Sequence, residues 1–227
     1  MASLLLAGTA FASDHNNIDS GRPLRFEDAY SIAYGERTFE FGLFGTGFRH
    51  NAPAYGAAFE FKHGFALNQE WGISYSPTFS GRERFDEVEL SYLQALRREI
   101  GDAPALAYRL NVGFDEDKVE GRIRGIATKA LGQYDKLHLN LDFDFTEDQR
   151  PGFAAILGYS TPLGYPRHFD QTLVAEILME RRGGDDWTGA VGLGLRRQLD
   201  PVSTFDFGLE AGFNGGATLR IGYARSF

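Results

Sequence analysis

The sequence predicts an all-β fold, an antiparallel transmembrane β-barrel of about twelve strands, on three observations. Apolar and polar residues alternate with a period of two from Arg37 to the last residue, the mark of strands with two unlike faces. The alternating runs are mostly about ten residues or longer, above the ~5–6 usual in soluble proteins and near the ~9–11 that cross a bilayer at a tilt. The final run ends on Phe227, with Leu219, Ile221 and Tyr223 on the same face.

Composition bounds the reading without deciding it. The 227 residues contain 28 glycines, 14% aromatics and no cysteine, which excludes a disulfide framework and a Cys-based zinc site. A net charge of -8 argues against a nucleic-acid partner, since no basic stripe is available to neutralise phosphates. Mean hydropathy is -0.29, and no stretch approaches the ~18 apolar residues of a spanning helix. A spanning strand shows lipid only every second side chain, so neither value excludes a barrel.

In chain order, residues 1–12 read MASLLLAGTAFA, an apolar run closing on the A-x-A pattern Ala10-Phe11-Ala12. This resembles a secretory signal peptide, shortened because its basic start is missing. Residues 13–36 are expected to be a polar periplasmic stretch, and residues 37–227 the barrel. The strands are expected at Arg37–Phe48, Tyr55–Phe65, Glu70–Phe79, Phe85–Arg97, Ala105–Phe114 and Gly121–Leu131. The second half gives Leu137–Thr146, Gly152–Pro162, Gln171–Arg181, Trp187–Gln198, Thr204–Phe213 and Thr218–Phe227. Turn residues punctuate them, among them Asn68, Gly101-Asp102, Gly183-Gly184, Asp200-Pro201 and Asn214-Gly215-Gly216.

Alternation alone does not say which face points inward. The polar face is rich in glycine and carries both signs of charge: Glu40, Glu60, Lys62, Glu89, Arg109, Asp142, Asp144, Glu176, Arg196, Asp206, Glu210 and Arg220. Small residues and paired charges suit a crowded lumen better than a solvated soluble sheet, where glycine weakens a strand. Aromatics near strand ends, such as Tyr55, Trp71, Phe79, Tyr159, Trp187 and Tyr223, suit membrane interfaces. Leu219, Ile221, Tyr223 and Phe227 resemble the signal read by the outer-membrane assembly machinery, with Arg225 departing where a hydrophobic residue is usual.

Arg25-Phe26-Glu27-Asp28-Ala29-Tyr30, Gly35 and Thr38-Phe39-Glu40-Phe41-Gly42-Leu43 resemble the opening of a family of outer-membrane transporters grouped with the meta-pathway of phenol degradation. Phe59-Glu60-Phe61-Lys62-His63-Gly64 and Leu195-Arg196-Arg197-Gln198-Leu199-Asp200-Pro201 echo it further along. The resemblance implies a barrel that takes up hydrophobic or small organic molecules.

An outer-membrane acyl hydrolase is the main rival. It needs a serine, a histidine and an orienting group together. His138 lies on a predicted strand, with Ser74, Ser76, Ser91 and Ser160 available from others. A lumen histidine bonded to Asp142 or to a neighbouring strand is the plainer reading, as ion pairing is for Asp142, Asp144, Asp206 and Glu210. The acidic turns at Asp115-Glu116-Asp117, Glu147-Asp148 and Asp185-Asp186 lack the spacing of a calcium loop. No phosphate loop, zinc helix or dinucleotide fingerprint is present, so no cofactor or metal is expected. The sequence therefore points to a passive, non-enzymatic channel of the Gram-negative outer membrane. Its expected partners are lipid, lipopolysaccharide, the barrel assembly machinery and a small-molecule solute. A closed structural barrel is the other alternative. No plug domain is expected ahead of the first strand.

Overall fold

A computed structural model describes residues 18–19, 21–48, 51–79, 86–115, 118–147, 149–164, 170–183 and 186–227. The expected signal segment, residues 1–12, and Phe85 at the start of the fourth run lie outside the described residues. The strands are β1 (Arg37–Phe48), β2 (Asn51–Ala66), β3 (Gln69–Pro77), β4 (Asp86–Arg97), β5 (Ala105–Asp115) and β6 (Lys118–Leu131). They continue as β7 (Asp135–Thr146), β8 (Arg150–Leu163), β9 (Gln171–Gly183), β10 (Thr188–Asp200), β11 (Ser203–Gly212) and β12 (Ala217–Ser226).

Each strand pairs antiparallel with its sequence neighbours, and β1 pairs with β12, so the sheet closes on itself. Closure leaves no sheet edge, which is the condition for strands to cross hydrocarbon. Phe227 N donates to Arg37 O at 2.9 Å, fastening the two ends of the sheet together. That end is called proximal below, and the opposite end distal. The proximal β2–β3 connection is a two-residue turn in which Asn68 adopts a φ of 62°, a conformation asparagine tolerates better than most residues.

The polarity of the wall is inverted relative to a soluble protein. On β7, Leu139 and Leu141 are 42% and 53% exposed, while the alternating His138 and Asn140 are both 0% exposed. The same holds around the ring: Leu90, Ile123, Leu157, Ile177, Leu193 and Leu209 face out, and Lys62, Arg109, Arg124, Glu176 and Asp206 are buried. An apolar outer band around a charged interior is the pattern of a membrane barrel.

One expectation is corrected. Residues 13–36 were expected outside the barrel, with no plug ahead of β1, yet the described residues from 18 onward enter the lumen. Ile18, Arg22, Leu24, Phe26, Glu27, Asp28 and Ala29 are all buried. Asp28 N donates to Ile18 O and Ile18 N to Asp28 Oδ2, both at 3.0 Å, so residues 18–28 double back as a closed loop. The segment has no periodicity to announce it, and its charges look solvated until the wall that pairs them is in view.

Candidate functional site

The lumen holds two kinds of contact to this loop. Leu24, Phe26 and Ile18 form an apolar cluster with Ile156, Val174, Leu178 and Ala190, which point inward from β8, β9 and β10. Ala29 and Tyr30 cover a second cluster of Leu93, Ala105, Ala107 and Ile126 from β4, β5 and β6. These inward apolar residues would face a polar lumen if the loop were absent.

The wall is also cut away where the loop passes. A Cβ at Gly208 would lie 2.0 Å from Pro23 O, and one at Gly158 would lie 2.5 Å from the Phe26 ring. Gly192, Gly194 and Gly222 make similar room for Leu24, Pro23 and Arg22. The glycine richness of the inward face thus forms a trough spread over β8, β10, β11 and β12.

Charge completes the fit. Arg22 donates to Glu40 from Nε and to Asp206 from Nη1, each at 2.9 Å. Arg25 grips Glu210 with two donors at 2.9 Å and reaches Glu180 at 3.3 Å. Glu27 receives Arg109 Nε at 2.8 Å and Arg124 Nη1 at 3.2 Å. The loop's main chain is read as well. Asn140 receives Glu27 N at 2.8 Å and donates to Glu27 O at 2.9 Å, while Glu176 Oε2 receives both Arg25 N and Phe26 N.

All twelve charged residues expected on the polar face alternate inward here. Arg124–Asp142, Arg122–Asp144 and Arg196–Asp206 are direct cross-strand pairs, bonded at 2.6, 2.6 and 2.7 Å. Lys62 bridges Glu40 at 3.0 Å and Glu60 at 3.5 Å, two carboxylates that sit opposite one another, and also binds Asp19. Glu89 receives Asn111 at 2.8 Å, and Arg220 approaches Glu210 at 3.6 Å. Sequence reasoning left out Asp19, Arg22, Arg25, Glu27, Glu70, Arg122, Arg124 and Glu180, which also belong to the network.

The histidine site is structural in geometry. His138 bonds Ser160 Oγ through Nε2 at 2.9 Å and Thr128 Oγ1 through Nδ1 at 3.1 Å, so neighbouring strands hold it and Asp142 does not. A threonine thus stands where a triad needs a carboxylate, and the Phe26 ring covers the imidazole at 4.9 Å. His138 and Ser160 are both buried beneath the loop. Among the described residues no group of three metal-ligating side chains converges. The acidic turns fall partly on undescribed residues.

Cavities lie at both ends. A proximal one of about 480 Å³ is lined by loop residues Asp19 and Ala29 to Ala33 together with Glu36, Arg97 and Arg98. Distal cavities of about 520 and 440 Å³ are lined by Arg25, Glu180, Glu210 and Arg220, and by Glu89, Arg122 and Asp144. The loop stands between the proximal and distal spaces.

Asp28 closes the loop and sets a pH dependence. Burial pushes its carboxyl up to about 8, against Lys136 and the N–H groups of Ile18 and Tyr30, which favour the ionised form. The docked loop therefore holds a proton that a released loop, with an ordinary aspartate near 3.8, gives up. Docking is favoured at low pH and weakens as pH rises from about 4 through 8. Trypsin cleavage after Arg25 should accelerate between pH 6 and pH 8 in assays corrected for protease activity. Asp28→Asn should flatten that dependence; an unchanged slope in the variant would assign it to another group.

No protein-family model and no curated protein matches the sequence. Solved structures do. The chain is similar to an outer-membrane channel from Pseudomonas putida F1, with a TM-score of 0.71 at 10% identity over 92% of this chain and 100% of that one. It is similar to the KdgM porin (TM-score 0.66, 10% identity, 84% and 99% covered). The NanC porin gives 0.67 at 8% identity, with 82% and 98% covered. At such identities the likeness establishes a shared fold, the closed twelve-stranded antiparallel barrel of outer-membrane proteins.

Proposed function

We propose that this protein is a passive outer-membrane channel for small organic solutes, closed at rest by its own residues 18–36. The observation that carries the reading is the loop itself, a noncovalent stopper standing between cavities at the two ends of the lumen. Up to Ala33 its contacts with the wall are side-chain hydrogen bonds, ion pairs and apolar packing, and main-chain bonding to β2 begins only at Gly35 with Gly64, so withdrawal of the part before it breaks no strand pairing. A withdrawn loop leaves a path edged by charge and by the inward apolar residues Ile156, Val174 and Leu178, a surface suited to solutes with an apolar part. Diffusion down a gradient needs no energy coupling.

The fold likeness to channels and porins and the lipid-facing outer band support the outer membrane, lipid and lipopolysaccharide as the surroundings. Leu219, Ile221 and Phe227 are exposed on the outer face of the last strand, with Tyr223 beside them, where the assembly machinery could engage them. Arg225 shares that face.

Planar-bilayer recording of the full chain tests the reading. Brief, infrequent openings are expected from the wild type. Glu27→Gln removes a carboxylate held by two guanidiniums while leaving Arg109 its Glu70 and Arg124 its Asp142. A loss of roughly 1–3 kcal/mol in docking should raise the open fraction about 5- to 150-fold, short of saturation. Silence in both proteins, correctly inserted, would leave a closed structural barrel.

A further inference from the structure

The wall treats residues 25–27 as a bound peptide, and the geometry points to what else it takes: the lumen is a binding site for short arginine-bearing peptides, with the loop as its resident stand-in. The inference rests on the channel reading only for the route by which such a peptide arrives.

Three features distinguish a recognition site from a seal. First, wall side chains read main chain rather than only side chains. Asn140 satisfies both the N–H and the C=O of one residue, and Glu176 takes two successive N–H groups with one oxygen. Such contacts are available to any peptide laid along the same line. Second, the sockets on either side are of opposite charge. Glu210 and Glu180 hold the guanidinium, while Arg109 and Arg124 hold the carboxylate two residues on. Between them Gly158 opens a slot for a ring against His138.

Third, each guanidinium of the carboxylate socket is anchored by a wall carboxylate. Asp142 fixes Arg124 with bonds of 2.6 and 2.7 Å, and Glu70 fixes Arg109 at 2.8 Å. Glu176 is 3% exposed, and its Oε1 has no hydrogen-bond partner among the described residues, leaving an acceptor for one more donor. The distal cavity of about 520 Å³ opens onto the Arg25–Glu210 pair, so a peptide entering there meets the guanidinium socket first. Arg182 and Arg220 stand beside Glu180 and Glu210 there, so discrimination rests on the order of the two sockets rather than on the charge of the entrance.

The tethered loop competes at an effective concentration on the order of millimolar, so the test removes its charges and keeps the wall. Fluorescence anisotropy is measured with a fluorescein-labelled Arg-Phe-Glu tripeptide amide on the detergent-solubilised full chain. The Arg25→Gln/Glu27→Gln protein should bind it about tenfold or more tightly than the wild type. The charge-exchanged tripeptide Glu-Phe-Arg should bind about tenfold more weakly, the weight of a charge-assisted bond lost at each end. Adding Glu210→Gln should reduce the preference, since Arg109 and Arg124 still favour the carboxylate end.

Equal binding of the two tripeptides, or none of either to the double variant, overturns the site. A boiling-dependent shift in gel mobility establishes that the variant is folded. Should it not fold, the wild type decides in proteoliposomes: Arg-Phe-Glu should enter faster than Glu-Phe-Arg, and equal entry or no entry of both overturns the site. Conductance without discrimination would leave the channel standing and remove the peptide site. Discriminating binding by a protein that never conducts would do the reverse.

Discussion

Gly208→Leu is expected to hold the barrel open. The side chain would project into the lumen where a Cβ already lies 2.0 Å from Pro23 O and 2.9 Å from Pro23 C. Both are main-chain atoms, and no rotamer change moves them. Overpacking a fitted interior costs about 1–3 kcal/mol, occasionally more, and a backbone collision belongs at or above the upper end. The barrel need not absorb that cost, because the loop is free to leave while strand pairing around Gly208, with Gly194 and Arg220 opposite, stays as it is. The glycine trough predicts a graded series. Gly222→Ala meets the flexible Arg22 side chain at 2.8 Å and should be mild; Gly158→Ala meets the Phe26 ring at 2.5 Å and should be intermediate. Conductance and tryptic cleavage after Arg25 should rise together along it. A Gly208→Leu channel with wild-type conductance and a protected Arg25 would mean that residues 18–36 do not gate the lumen.

The series also shows what the sequence held and where its legibility stopped. Alternation reports the wall because each strand has lipid on one side and lumen on the other. Runs such as Leu137 to Thr146 therefore gave their faces and nearly their ends, the observed strand being Asp135–Thr146. The charged residues of the inward face were legible for the same reason. Their partners were not, since pairing across a lumen joins residues far apart in sequence, such as Arg25 and Glu210. The loop has no period because it follows a trough rather than a pleat. Two signals pointed to it nonetheless. Ile156, Val174 and Leu178 fall on the polar face, where an open aqueous lumen gives apolar side chains no partner. Glycine recurs at Gly192, Gly194, Gly208 and Gly222, more often than turns or closure require. Arg22 to Leu24 fill this trough, and Phe26, within the run read from sequence as a family resemblance, fills its slot at Gly158.

Replacing an outward leucine by arginine should have the opposite consequence, loss of the barrel rather than opening of its lumen. Leu139 sits within β7, flanked on the outer face by Ala127 of β6 and Leu157 of β8. Leu209 is flanked in the same way by Leu193 and Leu219. Arginine on a lipid face near the midplane costs roughly 2–4 kcal/mol, and these neighbours offer no counter-charge. Leu139→Arg and Leu209→Arg should each deplete the protein recovered in the outer membrane and its heat-modifiable gel band. Asp142→Ala removes an inward carboxylate and leaves Arg124 with Glu27 as its remaining acidic partner. It should change conductance or thermal stability while insertion proceeds. The two classes of variant read opposite faces of the same strand, since residues 139 and 142 differ in parity. Normal insertion of both leucine variants with failure of Asp142→Ala would invert the wall, and with it the assignment of the loop's surroundings as a lumen.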